Sequence, residues 1–373
     1  MSKVMKIVLI VLLVIVLAVV GLGVYVLTSM RSDAVETVEK PVDLSVAATD
    51  EPEPAVVETG DPTPTPTAMP IYQEDTKQQG IVNILLIGTD SRSAEEVQDA
   101  TGRSDTMMLA SIDTNKGTIT LVSFMRDARV HRIGKSGRFT FYNRLNGAYN
   151  GGYGGGGPGE LINTINENFK LDIQEYISIG FDGFAALIDK IGGLDVDCDQ
   201  AEINFINHRI TAGFVNEPDI VLNAKTIKED PGILHLDGAQ CLIYARNRHT
   251  GVDGGEGNDY DRVNRQQEII QLIFDKVTKE MNEQSVLALI SFATGYVSTN
   301  MSIDTMSDLA KILLTKGMTF SKASIPGPGT YHNYVDEAGT ETSMLEFDLD
   351  DAAASLNALL YGEGFVPTPT PAQ

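Results

Sequence analysis

Arginines and aspartates meet at three places in this chain, and these groups are where chemistry on an anion could be done. Asp90-Ser91-Arg92 is followed by Arg103-Ser104-Asp105, and Arg126-Asp127 forms the second group. Tyr244-Ala245-Arg246-Asn247-Arg248, followed by Asp259-Tyr260-Asp261-Arg262-Val263-Asn264-Arg265-Gln266, forms the third. The chain carries a formal net charge of -23 at pH 7, so these arginines are not part of a general basic coat. A guanidinium stays charged at any working pH and grips two phosphate oxygens at once. Carboxylates beside it suit a hard divalent cation that bridges to phosphate. Taken singly, each group could be a surface ion pair of little worth. Together they favour a phosphate site. The acidic balance argues against nucleic acid, and carboxylates inside the groups argue against anion binding alone.

Positioning these groups needs a sheet. Ile81 to Ile87 is an apolar run, interrupted only by Asn83, that ends at Gly88-Thr89-Asp90. It reads as a strand buried on both faces of an α/β sheet, with Asp90 beyond its carboxyl end, where ligands collect. Met107–Ile112 and Thr118–Phe124 read as two further strands, joined by a turn through Asp113-Thr114-Asn115-Lys116-Gly117. A turn centred between Asn115 and Lys116 sets Asp105 opposite Arg126, which makes the first two groups one site.

Helices follow. One begins at Asp182, puts Phe184, Leu187, Ile188 and Ile191 on one face, and stops at Gly192-Gly193. A second runs from Asp237 through Cys241 and Tyr244 into Arg246 and Arg248. A third starts near Asp261, with Val263, Ile270, Ile273, Phe274 and Val277 at helical spacing. Arg262, Arg265 and Gln266 fall at i, i+3 and i+4 of it and share a face. Its first turn would also present open backbone N–H groups to an anion. Core packing is the ordinary use of such apolar stripes, and a lipid-lined cavity reads the same way. The glycine run Gly151 to Gly159 has no Lys-Ser/Thr after it, so it is a loop before a helix at Glu160 rather than a Walker A motif. Cys198 and Cys241 could pair or remain buried thiols, and no Cys/His spacing suits zinc. His249 alone among the histidines lies near the arginine groups. Beyond Thr278, residues Met306 to Leu314 suggest a helix and Ile325-Pro326-Gly327-Pro328-Gly329 a turn. This region is expected to finish the same sheet.

Ile7 to Leu27 is an unbroken apolar run, and about 20 such residues span a bilayer core. It is too long for a cleaved signal's apolar region and no A-x-A site follows, so an uncleaved anchor is expected. Lys3 and Lys6 outweigh Arg31 by a thin margin and favour a cytoplasmic N-terminus. The expected organisation is a cytoplasmic N-terminus over 1–6, a transmembrane helix over 7–27 and a Pro/Thr-rich stem over 28–79. One α/β domain then covers 80–360, and a Pro/Thr-rich tail covers 361–373. Everything beyond the anchor is expected outside the cell.

The motif-bearing core, 83–277, resembles the extracellular catalytic domain of the LytR-CpsA-Psr family. The matching pieces, in the family's order, begin with Asn83-Ile84-Leu85-Leu86-Ile87-Gly88-Thr89-Asp90-Ser91-Arg92, Gly102-Arg103-Ser104-Asp105-Thr106 and Ser123-Phe124-Met125-Arg126-Asp127. They continue with Arg144-Leu145-Asn146-Gly147-Ala148-Tyr149, Tyr176 to Phe184, Ile191 to Leu194, Leu236 to Arg248 and Arg262 to Gln267. Two departures are Met125, where the family usually has Pro, which is expected to loosen the turn, and Arg144, where Lys is commoner.

The resemblance implies an α-β-α sandwich around a central mixed sheet, with an apolar pocket for a polyprenyl chain. It implies a phosphotransferase that moves a glycopolymer, such as teichoic acid or capsule, from undecaprenyl pyrophosphate to the peptidoglycan of Gram-positive bacteria. The new bond is a phosphodiester. Asp90 and Asp105 match the family's metal-associated aspartates, for Mg2+ or Mn2+. Arg103, Arg126, Arg246, Arg262 and Gln266 match its pyrophosphate contacts, with Arg92, Arg248 and Arg265 in support. Arg126, Arg103, Asp105 and Asp127 are then the catalytic set, with Asp127 orienting Arg126 and no histidine base evident. The alternatives are a lipid pyrophosphatase, which needs the same arginines, and a wall-polymer binding or regulatory module without turnover.

Overall fold

In chain order the strands and helices are β1 (Ile71–Tyr72), β2 (Ile81–Thr89), β3 (Ser104–Asp113), β4 (Thr118–Phe124), β5 (Arg129–Ile133) and β6 (Thr140–Arg144). Then come α1 (Gly157–Phe169), β7 (Glu175–Ile179), α2 (Phe181–Lys190), β8 (Leu194–Cys198), α3 (Gln200–Thr211), β9 (Gly232–Leu236), α4 (Gly238–Ala245) and α5 (Asp259–Glu280). The chain closes with β10 (Val297–Thr299), β11 (Thr319–Ile325), β12 (His332–Val335), β13 (Glu341–Glu346), α6 (Leu349–Tyr361) and β14 (Pro369–Thr370). The structure is a computed structural model. It describes residues 71–72, most of 80–363, and 369–370, the longer gaps being 134–139, 151–155, 213–220, 252–256, 281–288 and 302–317. Among the described residues no helix is long and apolar enough to cross a membrane. The expected transmembrane segment 7–27, nearly all of the stem and the helix read at 306–314 lie outside them.

Six strands form one mixed sheet in the order β10-β7-β2-β3-β4-β11. The hairpins β2–β3 and β3–β4 are antiparallel, whereas β7 and β11 join them in parallel and β10 closes one edge antiparallel. Both edge strands therefore come from the stretch beyond residue 278. The pleat divides the side chains by parity. Ile84, Met108, Ile112 and Leu121 face one apolar cluster, packed under α2, α3, α4 and α5. Leu85, Ile87, Met107, Leu109 and Val122 face the other, packed under α1 and α6. Period-two alternation with both faces covered is what makes β2 and β3 read as continuous apolar runs. Each such side chain contributes roughly 1.5–3 kcal/mol by leaving water. The result is an α-β-α sandwich.

Local chemistry sets the helix ends. α4 has a reciprocal capping box in which Asp237 accepts the Gln240 N–H and Gln240 accepts the Asp237 N–H. α2 is capped by Gly180 rather than started by Asp182, which sits in the first turn, where its charge suits the helix dipole. It stops where Gly192 and Gly193 turn left-handed, at φ 83 and 76. α1 begins at Gly157, ahead of the expected Glu160, with Pro158 in its first turn. Cys198 and Cys241 are both buried free thiols, and burial pushes the Cys198 thiol up to about 12. The described parts of stem and tail, β1 and β14, pair antiparallel.

Candidate active site

The register of β3 on β4 runs Met108 to Ser123 and Asp113 to Thr118, as a turn centred on Asn115 and Lys116 demands. Continued beyond the paired residues, it brings Asp105 to Arg126, whose Nη1 lies 3.0 Å from Asp105 Oδ1. Arg126 Nε is 3.3 Å from Asp127 Oδ2 and 3.6 Å from Asp259 Oδ2. Burial works against the Arg126 charge, but Asp105, Asp259 and Asp127 together hold its pKa above the ordinary value. Asp259 also takes Arg262 Nη2 at 3.0 Å, so one carboxylate ties an arginine of the sheet end to an arginine of α5. The other Asp127 oxygen takes Arg144 Nε at 3.2 Å. With both oxygens on guanidinium groups, Asp127 is placed to orient Arg126.

Asp90 is held by a backbone clasp just past the bulge at Gly88 and Thr89. Its Oδ1 accepts the Arg103 N–H at 2.6 Å, and its own N–H donates to the Arg103 carbonyl at 3.1 Å. The Arg92 and Arg103 side chains are exposed beside this clasp and do not line the cavity described next.

A cavity of about 360 Å³ opens between the carboxyl ends of β2 and β7 and the helices α2, α4 and α5. Its depth is apolar, formed by residues such as Leu86, Met108, Phe184, Leu187, Leu242, Ile269 and Ile273, and its rim carries Asp105, Arg126, Arg246, Arg248, Arg262 and Gln266. Ile188, expected on the same stripe as Phe184 and Leu187, is instead fully buried core. Arg209, also on the lining, escaped the sequence reading, and His249, noted there only as lying near the arginine groups, lines the cavity too. Arg209 follows Phe205 by one turn of α3 and both reach the cavity, so i, i+4 spacing on that helix was the available signal. His249 stacks on Phe205 with ring centroids 5.7 Å apart.

The rim is crowded with positive charge. Burial lowers the pKa of Arg262, Asp259 and Asp105 oppose it, and Arg126 and Arg248 lower it further. Burial also lowers that of Arg246, with Asp105 and Asp90 opposing and Arg92 adding to the effect. Arg246 lies over the Phe181 ring, 4.4 Å from its centroid. Arg262 Nε is buried without a hydrogen-bond partner.

Three expectations are corrected. Arg265 does not reach the rim. It is fully buried, with Nη2 2.7 Å from Glu202 Oε1 and Nη1 donating to the Asn247 carbonyl at 3.2 Å. Its face of α5 turns toward α3 because Glu202, on that helix's first turn, captures it. The first-turn N–H groups of α5 are not open either, since the Asn258 side chain accepts from Tyr260 at 2.7 Å and from Asp261 at 3.3 Å. Met125 does not loosen the turn: its buried N–H donates to the Ile325 carbonyl at 2.8 Å, a bond proline could not make.

For a metal, the chain offers Asp90 and Asp105 at one sheet end, both close enough to act on Arg246. Among the described residues no group of three acidic, His or Cys side chains could hold an ion. That donor set does not suit an all-protein cage. It does suit Mg2+, which keeps waters and takes one or two carboxylates plus substrate phosphate.

An α/β sandwich with an apolar cavity beneath an arginine rim is built for an amphiphile with an anionic head. The LytR_cpsA_psr family model matches residues 48–350, and the chain belongs to the LytR-CpsA-Psr family. It is 28% identical over 253 residues to the polyisoprenyl-teichoic acid–peptidoglycan teichoic acid transferase TagV of Bacillus subtilis strain 168, a match covering 67% of this chain and 57% of TagV. To the transferase TagU of Oceanobacillus iheyensis it is 30% identical over 235 residues, covering 62% of this chain and 63% of TagU. The matched stretch thus spans somewhat over half the length of these relatives. Among solved structures it is similar to the LytR-CPS2A-psr family protein YwtF (TagT) with bound octaprenyl pyrophosphate lipid, at TM-score 0.53 and 20% identity, covering 78% of this chain and 96% of that one. At that identity the likeness is one of fold.

Proposed function

We propose that this chain is a membrane-anchored, extracellular phosphotransferase that moves a glycopolymer from a polyprenyl pyrophosphate to peptidoglycan through a phosphodiester bond. The observation that carries the reading is the arginine rim set directly above an apolar cavity. The family membership, the names of the TagU and TagV relatives and the prenyl pyrophosphate in the TagT structure support it. Residues 7–27 would anchor the chain with the domain outside the cell, where a lipid pyrophosphate is an energy-rich donor that needs no nucleotide.

In this reading the prenyl tail lies along Phe184, Leu187, Leu242 and Ile273, and the pyrophosphate meets Arg126, Arg246, Arg262 and Gln266, with Arg248 at the exposed end. An acceptor hydroxyl attacks the phosphorus that carries the glycopolymer. The bond from that phosphorus to the bridging oxygen breaks, polyprenyl monophosphate leaves, and the hydroxyl proton passes to solvent. Negative charge grows on the leaving oxygen, and Arg126, already fixed by three carboxylates, meets it without reorganising. Asp90 and Asp105 would hold Mg2+ (or Mn2+), which supplies further neutralisation of phosphate charge when bound. The Arg103 and Arg92 side chains sit exposed at the outer edge, in reach of the donor at short range only.

The test is incubation of the full chain with a lipid-pyrophosphate-linked saccharide, Mg2+ and peptidoglycan oligomers. The expected products are saccharide joined to the oligomer by a phosphodiester and polyprenyl monophosphate. Phosphorylated saccharide released equally fast without acceptor would instead identify a pyrophosphatase. Tight binding of the lipid with no turnover would identify a binding module.

A further inference from the structure

Two hairpins stand beside the rim with no role in holding the donor. In β5–β6, Arg129 pairs with Arg144 and His131 with Tyr142, so these side chains share the face opposite the buried Val130. The hairpin β12–β13 joins them: the Leu345 N–H donates to the Asp127 carbonyl at 2.8 Å, and Arg129 Nη1 lies 2.8 Å from Glu346. The Arg129 guanidinium is held against two tyrosine rings, 4.5 Å from the Tyr142 centroid and 4.0 Å from that of Tyr334. His131 packs on Tyr142 at 5.2 Å, yet Tyr142 remains 52% exposed. An arginine fixed by a carboxylate thus sets two aromatic rings in place at the surface. Rigid rings with polar edges near Glu346, whose other oxygen lies 3.3 Å from His332 Nε2, are what binds the apolar C–H faces and the hydroxyls of a sugar.

We propose that this shelf is the glycan-binding site for the acceptor strand, a saccharide chain held by Tyr142 and Tyr334. The assignment to acceptor rather than donor rests on the transferase reading and on position. The cavity lies on the sheet face covered by α2, α4 and α5, whereas both hairpins pack with the cluster on the opposite face. In phosphoryl transfer the attacking and leaving oxygens lie roughly in line on opposite sides of phosphorus. With the leaving lipid phosphate on the cavity side of Arg126, the attacking hydroxyl comes from the far side. A continuous link leads there, from Arg126 to Asp127, from Asp127 to Arg144, and from Arg144 Nη2 to Ser343 Oγ at 2.6 Å.

The test uses the full chain in detergent and peptidoglycan glycan oligomers freed of lipid. Saturation-transfer NMR without donor should show oligomer binding by wild type and by Arg126→Ala. The variant Tyr142→Ala/Tyr334→Ala should lose it, and Tyr142→Phe/Tyr334→Phe, which keeps the rings, should retain it. In transfer assays the alanine pair should raise the acceptor concentration for half-maximal rate by about tenfold or more, the loss of roughly 1.4 kcal/mol. Acceptor-independent turnover of the lipid should stay unchanged. Equal oligomer binding by wild type and the alanine pair, or none by wild type, overturns the shelf. Shelf binding that behaves as stated in a chain that never transfers leaves the shelf standing and removes the transferase reading instead.

Discussion

Arg126 and Arg265 are both arginines in acidic company, and their surroundings assign them opposite work. Arg126 is partly exposed at a cavity mouth, so Arg126→Ala should leave the melting temperature close to wild type and cut turnover by about two orders of magnitude. Lysine there should restore only part of the rate, because it cannot reproduce the two-pronged contact. Arg265→Ala strands the buried Glu202 and should lower stability by roughly 3–5 kcal/mol, seen in denaturant melts. If both variants melt normally, the assignment of Arg265 is wrong. Asp105→Ala in a folded protein, or EDTA on a washed one, should abolish transfer; full activity in EDTA would show that the two carboxylates serve the arginines alone. Cys198 gives a pH prediction. Its folded pKa, about 12, exceeds the unfolded value of 9.0, so its contribution is complete below about pH 9 and is lost as pH rises toward 12. Wild type should therefore lose melting temperature faster than Cys198→Ala between pH 9 and pH 11. The Arg–Asp spacing announced a site, but which arginines turn inward was hidden, because the captor of Arg265 lies 63 residues away on another helix.

At the level of elements, the turn through Asn115 and Lys116 did the most to make the site readable. Its residues fix a hairpin register, and a one-residue slip would move every side chain to the other face. Asp105 and Arg126 could therefore be paired from the sequence. The ends of α5 were harder, since Asn258 caps the helix from a position that reads as loop. Asn258→Ala should cost about 1 kcal/mol and loosen Arg262 and Gln266. The expected readout is a modest drop in melting temperature with a larger drop in turnover. The cavity itself was not legible, because Phe184 and Leu187 carry the same periodicity whether they meet a neighbour or a ligand. Gly238 shows how closely its walls are set. A Cβ there would run into the Ala185 carbonyl of α2, so Gly238→Ala should push α2 and α4 apart. Reduced lipid affinity together with lower stability is expected, measured by titration with a prenyl pyrophosphate and by thermal melts.

For the whole molecule, the sandwich class followed from strand runs covered on both faces, while the sheet order was invisible until the edge strands β10 and β11 were placed. The chain's formal net charge is -23, while the cavity mouth is lined by Arg126, Arg246, Arg248 and Arg262. An anionic donor should be repelled at long range and held at short range, so association should quicken with added salt while dissociation changes little. Stopped-flow binding at low and high ionic strength checks this, and slower association in salt would contradict it. The cavity has one more consequence. A space of about 360 Å³ walled by leucine, isoleucine and phenylalanine is missing packing, and missing packing is a stability deficit that a bound prenyl chain removes. The empty protein is then the fragile form and the loaded protein the durable one. Proteolysis should therefore remove the empty protein faster than the lipid-loaded one.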